Sequence, residues 1–217
     1  MSVYPKTDLD PGGASRRAMR ILRESSEDEM IACFLQGELT SRRFGPGLGR
    51  AMSAAGLSER LLTEADLSDE NENRARRDLL GAARGFRQSR DVFDEDFPAG
   101  VRWIRARLDR AELAQVRYID YSYWIELSGG SRLPVDAARR IREGVRVFGV
   151  SNRRFIAAAR AVARGERFPP LILAGRHHDD LVCLEGHLRL TGYALAGFPS
   201  EVDCLIGTAP RMGRWAR

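Results

Sequence analysis

The residues best suited to chemistry lie in one short segment, Glu185–Arg189, which reads Glu-Gly-His-Leu-Arg. It joins an apolar run of strand length, Leu181–Leu184, to apolar residues that recur at helical spacing up to Leu195. A glycine-containing bend before a helix presents free backbone N–H groups at the positive end of the helix dipole, where an anion can bind. His187 and Arg189 add side-chain donors, so we predict an anion-binding site at this bend.

Two other segments contain residue types that bind ligands. Gly129 and Gly130, followed by Arg132, can form a second anion-binding loop because glycines let the backbone approach a ligand closely. A plain turn is the alternative, since the lysine and the spacing of a P-loop are missing. His177 and His178 precede two aspartates, which allows a metal site, but we predict an exposed polar turn and no metal.

The charge of the chain is unevenly distributed. Residues 1–112 carry 19 basic and 20 acidic side chains, and residues 113–217 carry 16 and 10, which together give the net charge of +5. Between Arg139 and Arg167 nine arginines stand against two acids. This stretch predicts a basic surface that meets phosphate on a nucleotide or a nucleic acid. A solvated helix surface without a partner is the alternative.

Composition limits the class of protein. The 217 residues are 43% hydrophobic and 30% charged, as in globular proteins with a hydrophobic core. No apolar run approaches the roughly 20 residues that a transmembrane helix needs, and the N-terminus has no signal-peptide pattern. Three scattered cysteines within apolar runs indicate buried free thiols in a reducing compartment. We therefore predict a cytoplasmic protein with no membrane partner.

The first half of the chain is predicted to be helical. Residues 1–13 indicate a disordered tail, and residues 14–112 a region of four or five helices. Helices are expected over Ala14–Glu24, after the capping box Ser26–Glu29, over Asp69–Arg84 and from Pro98 to Leu108.

The second half, residues 113–217, is predicted to mix strands with helices. The aromatic and β-branched segment Val116–Leu127 favours a strand. Helices follow from Pro134 and after Ser151, and the apolar run Leu171–Ala174 opens the strand, turn and strand that lead to the bend. No internal repeat or low-complexity linker separates the halves, so we expect them to pack together.

With these elements in order, the second half resembles the ParB/sulfiredoxin superfamily. That family has a helix, a Pro-Leu/Ile-Ile/Val strand, a turn, a second strand, a Gly-x-x-Arg or Gly-His-x-Arg motif at a helix start, and a final strand. The resemblance covers about residues 115–210 and leaves the helical first half unexplained. The corresponding parts of this chain are Phe155–Gly165, Pro170–Ala174, Leu181–Leu184, Gly186–Arg189, Leu190–Gly197 and Val202–Ile206.

The resemblance implies an α+β fold in which a helical N-terminal region packs on a ParB/sulfiredoxin-like mixed-sheet domain. It also implies that nucleotide phosphate is held at the Gly186 loop and the helix start. The phosphate-binding residues expected on this basis, with their neighbours, are Glu185, Gly186, His187, Arg189 and Thr191.

Departures from the family pattern narrow the expected activity. The reactive cysteine of sulfiredoxin has no counterpart within Glu185–Arg189, which argues against sulfinic-acid repair. Partition proteins carry Gly-Glu-Arg-Arg at this position and continue into a helix-turn-helix, which we do not expect here because the sequence stops at Arg217. Serine-kinase-like members carry Gly-His-His-Arg, which is similar to the Gly-His-Leu-Arg of this chain.

The leading hypothesis is therefore a nucleotide-dependent enzyme that transfers a phosphoryl group from ATP, ADP or CTP, with Mg²⁺, to a small hydroxylated substrate. Such transfer needs a carboxylate that positions or deprotonates the accepting hydroxyl. Glu126 is the first candidate for this role and His187 a second catalytic residue, with Glu185 and Asp120 as further carboxylates. Period-2 alternation also permits a solvent-facing Glu126 without a role.

The alternative hypothesis is a ParB-like nucleic-acid-binding protein, a nuclease among the variants, or a nucleotide-switched regulator. It would use the arginines between Arg139 and Arg167 on a phosphate backbone. The sequence does not predict an oligomeric state.

Overall fold

The computed structural model describes residues 19–87 and 97–216, so the predicted disordered tail lies outside the described residues. The strands are β1 (Arg20–Ser25), β2 (Arg102–Asp109), β3 (Arg117–Tyr118), β4 (Leu171–Gly175), β5 (Val182–Glu185) and β6 (Glu201–Thr208). The helices are α1 (Glu27–Leu39), α2 (Gly45–Ala54), α3 (Arg60–Thr63), α4 (Glu70–Arg84), α5 (Arg110–Gln115), α6 (Ser122–Leu127), α7 (Pro134–Arg142), α8 (Arg153–Ala163), α9 (His187–Leu195) and a terminal 3₁₀ helix, Pro210–Ala216. Among these helices none has both the length and the apolar character needed to cross a bilayer.

The strands form one mixed sheet in the order β1-β2-β6-β4-β5-β3. Strand β4 is parallel to β6 and β3 is parallel to β5, whereas the other neighbours are antiparallel. The ladder between β2 and β6 runs without interruption from Arg102 opposite Thr208 to Asp109 opposite Glu201. Strands from both halves of the chain therefore belong to a single sheet.

The sheet lies between two layers of helices, because alternate residues of each buried strand face opposite sides. In β4, Ile172 and Ala174 contribute to the core that also contains apolar residues of α1 to α4. Leu171 and Leu173 contribute to a second core with residues of α5 to α9. The α+β class with a helical N-terminal region is confirmed.

Two segments of the first half were predicted as helices and are strands. Part of the helix expected over Ala14–Glu24 is the strand β1, whose residues are exposed on both faces and show no periodicity. Most of the segment from Pro98 to Leu108, expected to be a helix, belongs to the strand β2. Its alternate residues Ile104, Ala106 and Leu108 are buried in the second core. Arg105 and Arg107, which alternate with these apolar residues, form ion pairs. The apolar residues of this strand therefore match a helical spacing only by coincidence.

The predicted strand Val116–Leu127 is also wrong, because only Arg117–Tyr118 pairs with a neighbouring strand. The aromatic residues after it form the short helix α6, where Trp124 stacks on Tyr118 with ring centroids 4.8 Å apart. Packing against the core thus overrides the strand propensity of aromatic side chains. The elements from α8 to β6 occur in the predicted order.

A buried carboxylate fastens α1 to the sheet. Glu29, whose side chain is 8% exposed, accepts hydrogen bonds of 2.7 Å from the guanidinium groups of Arg23 on β1 and Arg105 on β2. The Ser25 hydroxyl donates to it at 2.6 Å. Burial alone would raise the pKa of the Glu29 carboxyl, but hydrogen bonds from these three donors lower the pKa to about 2.

We expect this network to control stability in acid. The unfolded carboxyl titrates near 4.5, so the stabilisation is complete above that pH and is lost as the pH falls towards 2. The pKa difference corresponds to roughly 3 kcal/mol in the free energy of unfolding. In urea denaturation at a series of pH values, Glu29→Gln should lose at least about 2 kcal/mol at neutral pH and show a flatter acid profile.

Glu24→Gln is the matched control, since Glu24 is 84% exposed and its ion pair with Arg102 spans 3.5 Å. It should change the free energy of unfolding by less than about 0.5 kcal/mol. Equal acid profiles for Glu29→Gln and the unmodified protein would contradict the assignment.

Candidate functional site

The predicted bend is present and Gly186 forms its corner. Gly186 adopts φ 104°, a left-handed conformation that disfavours other residues, and precedes the first residue of α9. A Cβ atom at this position would lie 2.5 Å from Cδ2 of Leu171 on the neighbouring strand. No side chain in the part of the chain that the structure describes caps α9, so the N–H groups of its first turn remain available at the positive end of the helix dipole.

The guanidinium group of Arg189 lies back over this bend. The position of a Cβ atom on Gly186 would be 2.9 Å from its Nη2 and 3.0 Å from its Nε. Nη2 donates only long hydrogen bonds, 3.4 Å to the carbonyl oxygen of Pro170 and 3.5 Å to Oε1 of Glu185. The side chain is 12% exposed, and its buried Nε has no hydrogen-bond partner within the described part of the chain. This cation is therefore nearly enclosed and poorly satisfied.

Helix α1 forms the opposite wall of this site. A Cβ atom on Gly37 would lie 3.6 Å from Nη1 of Arg189, and Cys33 lies one turn earlier on the same helix. Burial raises the pKa of the Cys33 thiol, while the positive charges of Arg105 and Arg189 oppose that rise. Gly37 lies inside α1, which continues to Leu39. A glycine inside a helical pattern is the signal that indicates such a close approach.

His187 faces an aromatic stack. Its ring lies 4.8 Å from that of Trp124 at an interplanar angle of 16°, and 6.1 Å from that of Tyr118 at 20°. Burial, assisted by the charge of Arg189, lowers the pKa of His187 to about 3. The imidazole is therefore neutral near pH 7, and its predicted contact with phosphate would be a hydrogen bond from an uncharged ring. Its Nε2 is buried and lacks a hydrogen-bond partner among the residues described.

Thr191, a predicted phosphate-binding residue, faces the core. Its side chain is fully buried, and its Oγ1 lies 2.7 Å from the Tyr118 hydroxyl. Oγ1 also donates to the carbonyl oxygen of His187 at 2.7 Å. Thr191 therefore positions the first turn of α9 from inside the core.

Of the three candidate carboxylates, the structure brings one to the bend. Glu185 is part of it, with a side chain that is 29% exposed and 3.5 Å from Arg189. Glu126 is exposed on α6, two positions after Trp124, and residues two apart project about 200° from each other on a helix. Because Trp124 faces His187, Glu126 points away from it. Asp120 is exposed in the preceding loop.

The predicted anion loop is a turn that ends α6. Gly129 and Gly130 adopt φ of 66° and 95°. Their N–H groups donate to carbonyl oxygens of α6 at 3.1 and 2.8 Å, and the N–H of Arg132 donates to Oγ of Ser128 at 2.8 Å. These three N–H groups already have partners within the turn, which is the plain-turn alternative for this loop.

The polar turn between β4 and β5 exposes His177 and His178, as predicted, while Asp180 forms an ion pair with Arg117. Over residues 19–87 and 97–216 no group of three or more histidine, cysteine, aspartate or glutamate side chains is arranged to hold a metal ion. The three cysteines are buried free thiols.

None of the protein-family models, curated proteins or solved structures compared with the chain matches it.

The packing of His187 predicts an imidazole that stays neutral in mild acid. In a variant with His177→Asn and His178→Asn, the remaining imidazole NMR signal should not titrate between pH 8 and pH 5. Because unfolded histidine titrates near 6.5 and the folded group near 3, stability should also fall as the pH drops below 6.5.

Trp124→Ala should unstack the ring, raise the pKa of His187 and cost about 3–5 kcal/mol of stability. A titration midpoint near 6.5 in the unmodified stack would contradict this assignment.

Proposed function

We propose that the chain binds the phosphate groups of a nucleotide at the Gly186 bend, as its resemblance to the ParB/sulfiredoxin superfamily implies. The observation that supports this function best is the state of Arg189. Its guanidinium group is nearly enclosed and lies beside the N-terminus of α9. Among residues 19–87 and 97–216, no partner bonds its Nε, no hydrogen bond to it is shorter than 3.4 Å, and no side chain caps the helix. Phosphate oxygens would satisfy both the guanidinium group and the helix N–H groups.

Each residue of the bend has a defined task in this proposal. The N–H groups of the first turn of α9 bind phosphate oxygens, and Arg189 supplies the positive charge. His187, being neutral, orients the bend through its stack with Trp124 and does not contribute charge. Gly186 leaves the space that both the ligand and the guanidinium group require.

Phosphoryl transfer to a small hydroxylated substrate is the reaction that we propose for this site. Glu185 replaces Glu126 as the carboxylate that positions or deprotonates the accepting hydroxyl, because it is the candidate that lies at the bend. Mg²⁺ is commonly held by one or two carboxylates together with substrate phosphates, so Glu185 fits as a single protein ligand. When bound, the ion would neutralise charge on the phosphate oxygens.

A cytoplasmic location belongs to the same proposal. The three thiols are free and buried, as expected for a protein that works in a reducing compartment.

Leu188→Asp tests nucleotide binding without disturbing the core. Leu188 is 39% exposed in the first turn of α9, where an acidic residue favours the helix dipole by about 0.3–1 kcal/mol. The same carboxylate would repel phosphate, so we expect ATP, ADP or CTP to bind at least about tenfold more weakly by calorimetry. For the unmodified protein, a nucleotide at 100 times its dissociation constant should add about 2.7 kcal/mol of stability.

Leu188→Gln is the control, because it removes the same apolar side chain without adding charge. It should bind nucleotide like the unmodified protein. Equal nucleotide binding by the Asp and Gln variants would show that phosphate does not bind at this helix start. If none of ATP, ADP and CTP binds the unmodified protein, the nucleotide site itself is refuted.

Glu185→Gln separates binding from transfer. It keeps the shape of the side chain but removes its charge, so we expect nucleotide binding within about threefold of the original and a loss of transfer of about 10²-fold or more. Transfer of labelled γ-phosphate to a panel of hydroxylated substrates, scored by mass spectrometry, provides the measurement.

Glu126→Gln should leave transfer unchanged, since its carboxylate is exposed and directed away from His187. If the Glu126 variant alone lost activity, the assignment of the carboxylate would be reversed. Binding without transfer by the unmodified protein would limit the site to a nucleotide-binding role.

A further inference from the structure

A second surface, separate from the bend, is formed by the outward side of α8 and the loop before it. Arg153, Ile156, Ala157 and Arg160 lie along one side of α8, and Arg164 follows its last residue on the same side. These five residues line a shallow groove of about 540 Å³. Their spacing of three and four residues places them on adjacent turns of one face. No acidic residue occurs within α8. This side is here called the α8 surface.

The cations of the α8 surface are mostly unneutralised. The guanidinium groups of Arg153 and Arg160 are exposed and have no hydrogen bond or ion pair to any described residue. Arg164 pairs with Glu166 at 2.5 Å, with both side chains more than half exposed. Other arginines of the same stretch serve the fold, since Arg140 and Arg142 donate to main-chain carbonyl oxygens. Arg153 and Arg160 therefore give the α8 surface two unneutralised charges.

The loop before α8 presents an aromatic ring to solvent. Phe148 is 68% exposed and adopts φ 51°, a conformation that is unfavourable for a bulky side chain. The loop is well fixed, because Asn152 donates to the carbonyl oxygen of Val145 at 2.7 Å and Val147 is buried. A rigid loop that holds a large apolar ring outward in an unfavourable conformation indicates a binding role for that ring.

A second ring lies beside it. The Tyr123 ring is 6.4 Å from that of Phe148, and the guanidinium group of Arg154 lies 5.9 Å from the centre of the Tyr123 ring. Two aromatic rings thus lie close to Arg154, which neighbours Arg153 at the N-terminal end of α8.

We propose that the α8 surface and the Phe148 loop bind single-stranded nucleic acid, with the arginines on the phosphates and Phe148 stacked on a base. Single strands combine a line of negative charges with flat, accessible rings, and proteins hold them with basic grooves and aromatic platforms. Arg160 and Arg164 are about 6 Å apart along the helix axis, a spacing suited to successive charges of a polyanion. An acidic polypeptide has no bases for Phe148. A lipid surface would need a broader apolar face than one exposed ring.

The test is fluorescence anisotropy of a labelled 12-nucleotide single strand of mixed sequence with the full chain at low salt. Arg153→Gln with Arg160→Gln should weaken binding at least tenfold and lower the salt slope of log K by about 1.4, because two phosphate contacts are lost. Arg50→Gln with Arg74→Gln removes the same charge from exposed arginines of α2 and α4 and should change neither quantity.

Phe148→Gly tests the stacking ring. Glycine suits φ 51°, so the melting temperature should be unchanged or higher, while the oligonucleotide binds at least tenfold more weakly. Binding of inorganic polyphosphate, which has no bases, should be insensitive to this variant. Leu188→Asp should leave oligonucleotide binding unchanged, so failure of the nucleotide site and failure of this surface remain distinguishable.

Three results would overturn the proposal. The first is that the single strand does not bind at low salt. The second is that the Arg153/Arg160 and Arg50/Arg74 variants bind it equally well. The third is that polyglutamate or phosphatidylserine vesicles bind at least as tightly as the oligonucleotide.

Discussion

The site depends on one constraint, the enclosure of a positive charge between a glycine bend and a helix from the other half of the chain. Arg189 projects from the first turn of α9, and its guanidinium group occupies space that any side chain at position 186 would fill. Gly37 on α1 lies on the other side of the same group. Burying a cation costs free energy unless hydrogen bonds and opposite charge replace water. The hydrogen bonds from Arg189 to Glu185 and to the Pro170 carbonyl oxygen are long, so they replace the lost water only in part.

The surroundings of the bend are rigid by comparison. Trp124 stacks on both His187 and Tyr118, and Thr191 connects the Tyr118 hydroxyl to the main chain at the start of α9. The segment from β3 to α6 and helix α9, which are distant in sequence, thus fix the orientation of the first helical turn before any ligand arrives. Preorganised donors are the feature that makes electrostatic stabilisation effective in enzymes. The neutral imidazole avoids placing a second positive charge beside Arg189.

The sequence predicts local features well and long-range ones poorly. Strands β4 to β6 and helix α9 are readable because apolar runs of suitable length alternate with glycine, proline and a polar turn. Strand β1 is an edge strand exposed on both faces, so it has no pattern to read. At the site, Gly186 and Arg189 are visible in the motif. The contributions of Trp124 and α1 arise from tertiary packing, which neither propensity nor spacing encodes. Aromatic residues that suggested a strand were in fact the platform for His187.

The position of β6 in the sheet has a consequence for synthesis of the protein. Strand β2 pairs with β6 along its whole length, although about a hundred residues separate them in the chain. During translation β2 can pair with β1, which precedes it, but its other neighbour β6 is synthesised much later. The sheet under α1 therefore cannot close until Thr208 has followed. Such non-local pairing slows folding and leaves a nascent chain with exposed strand edges. Chaperones that shield those edges would therefore act between the appearance of β2 and that of β6.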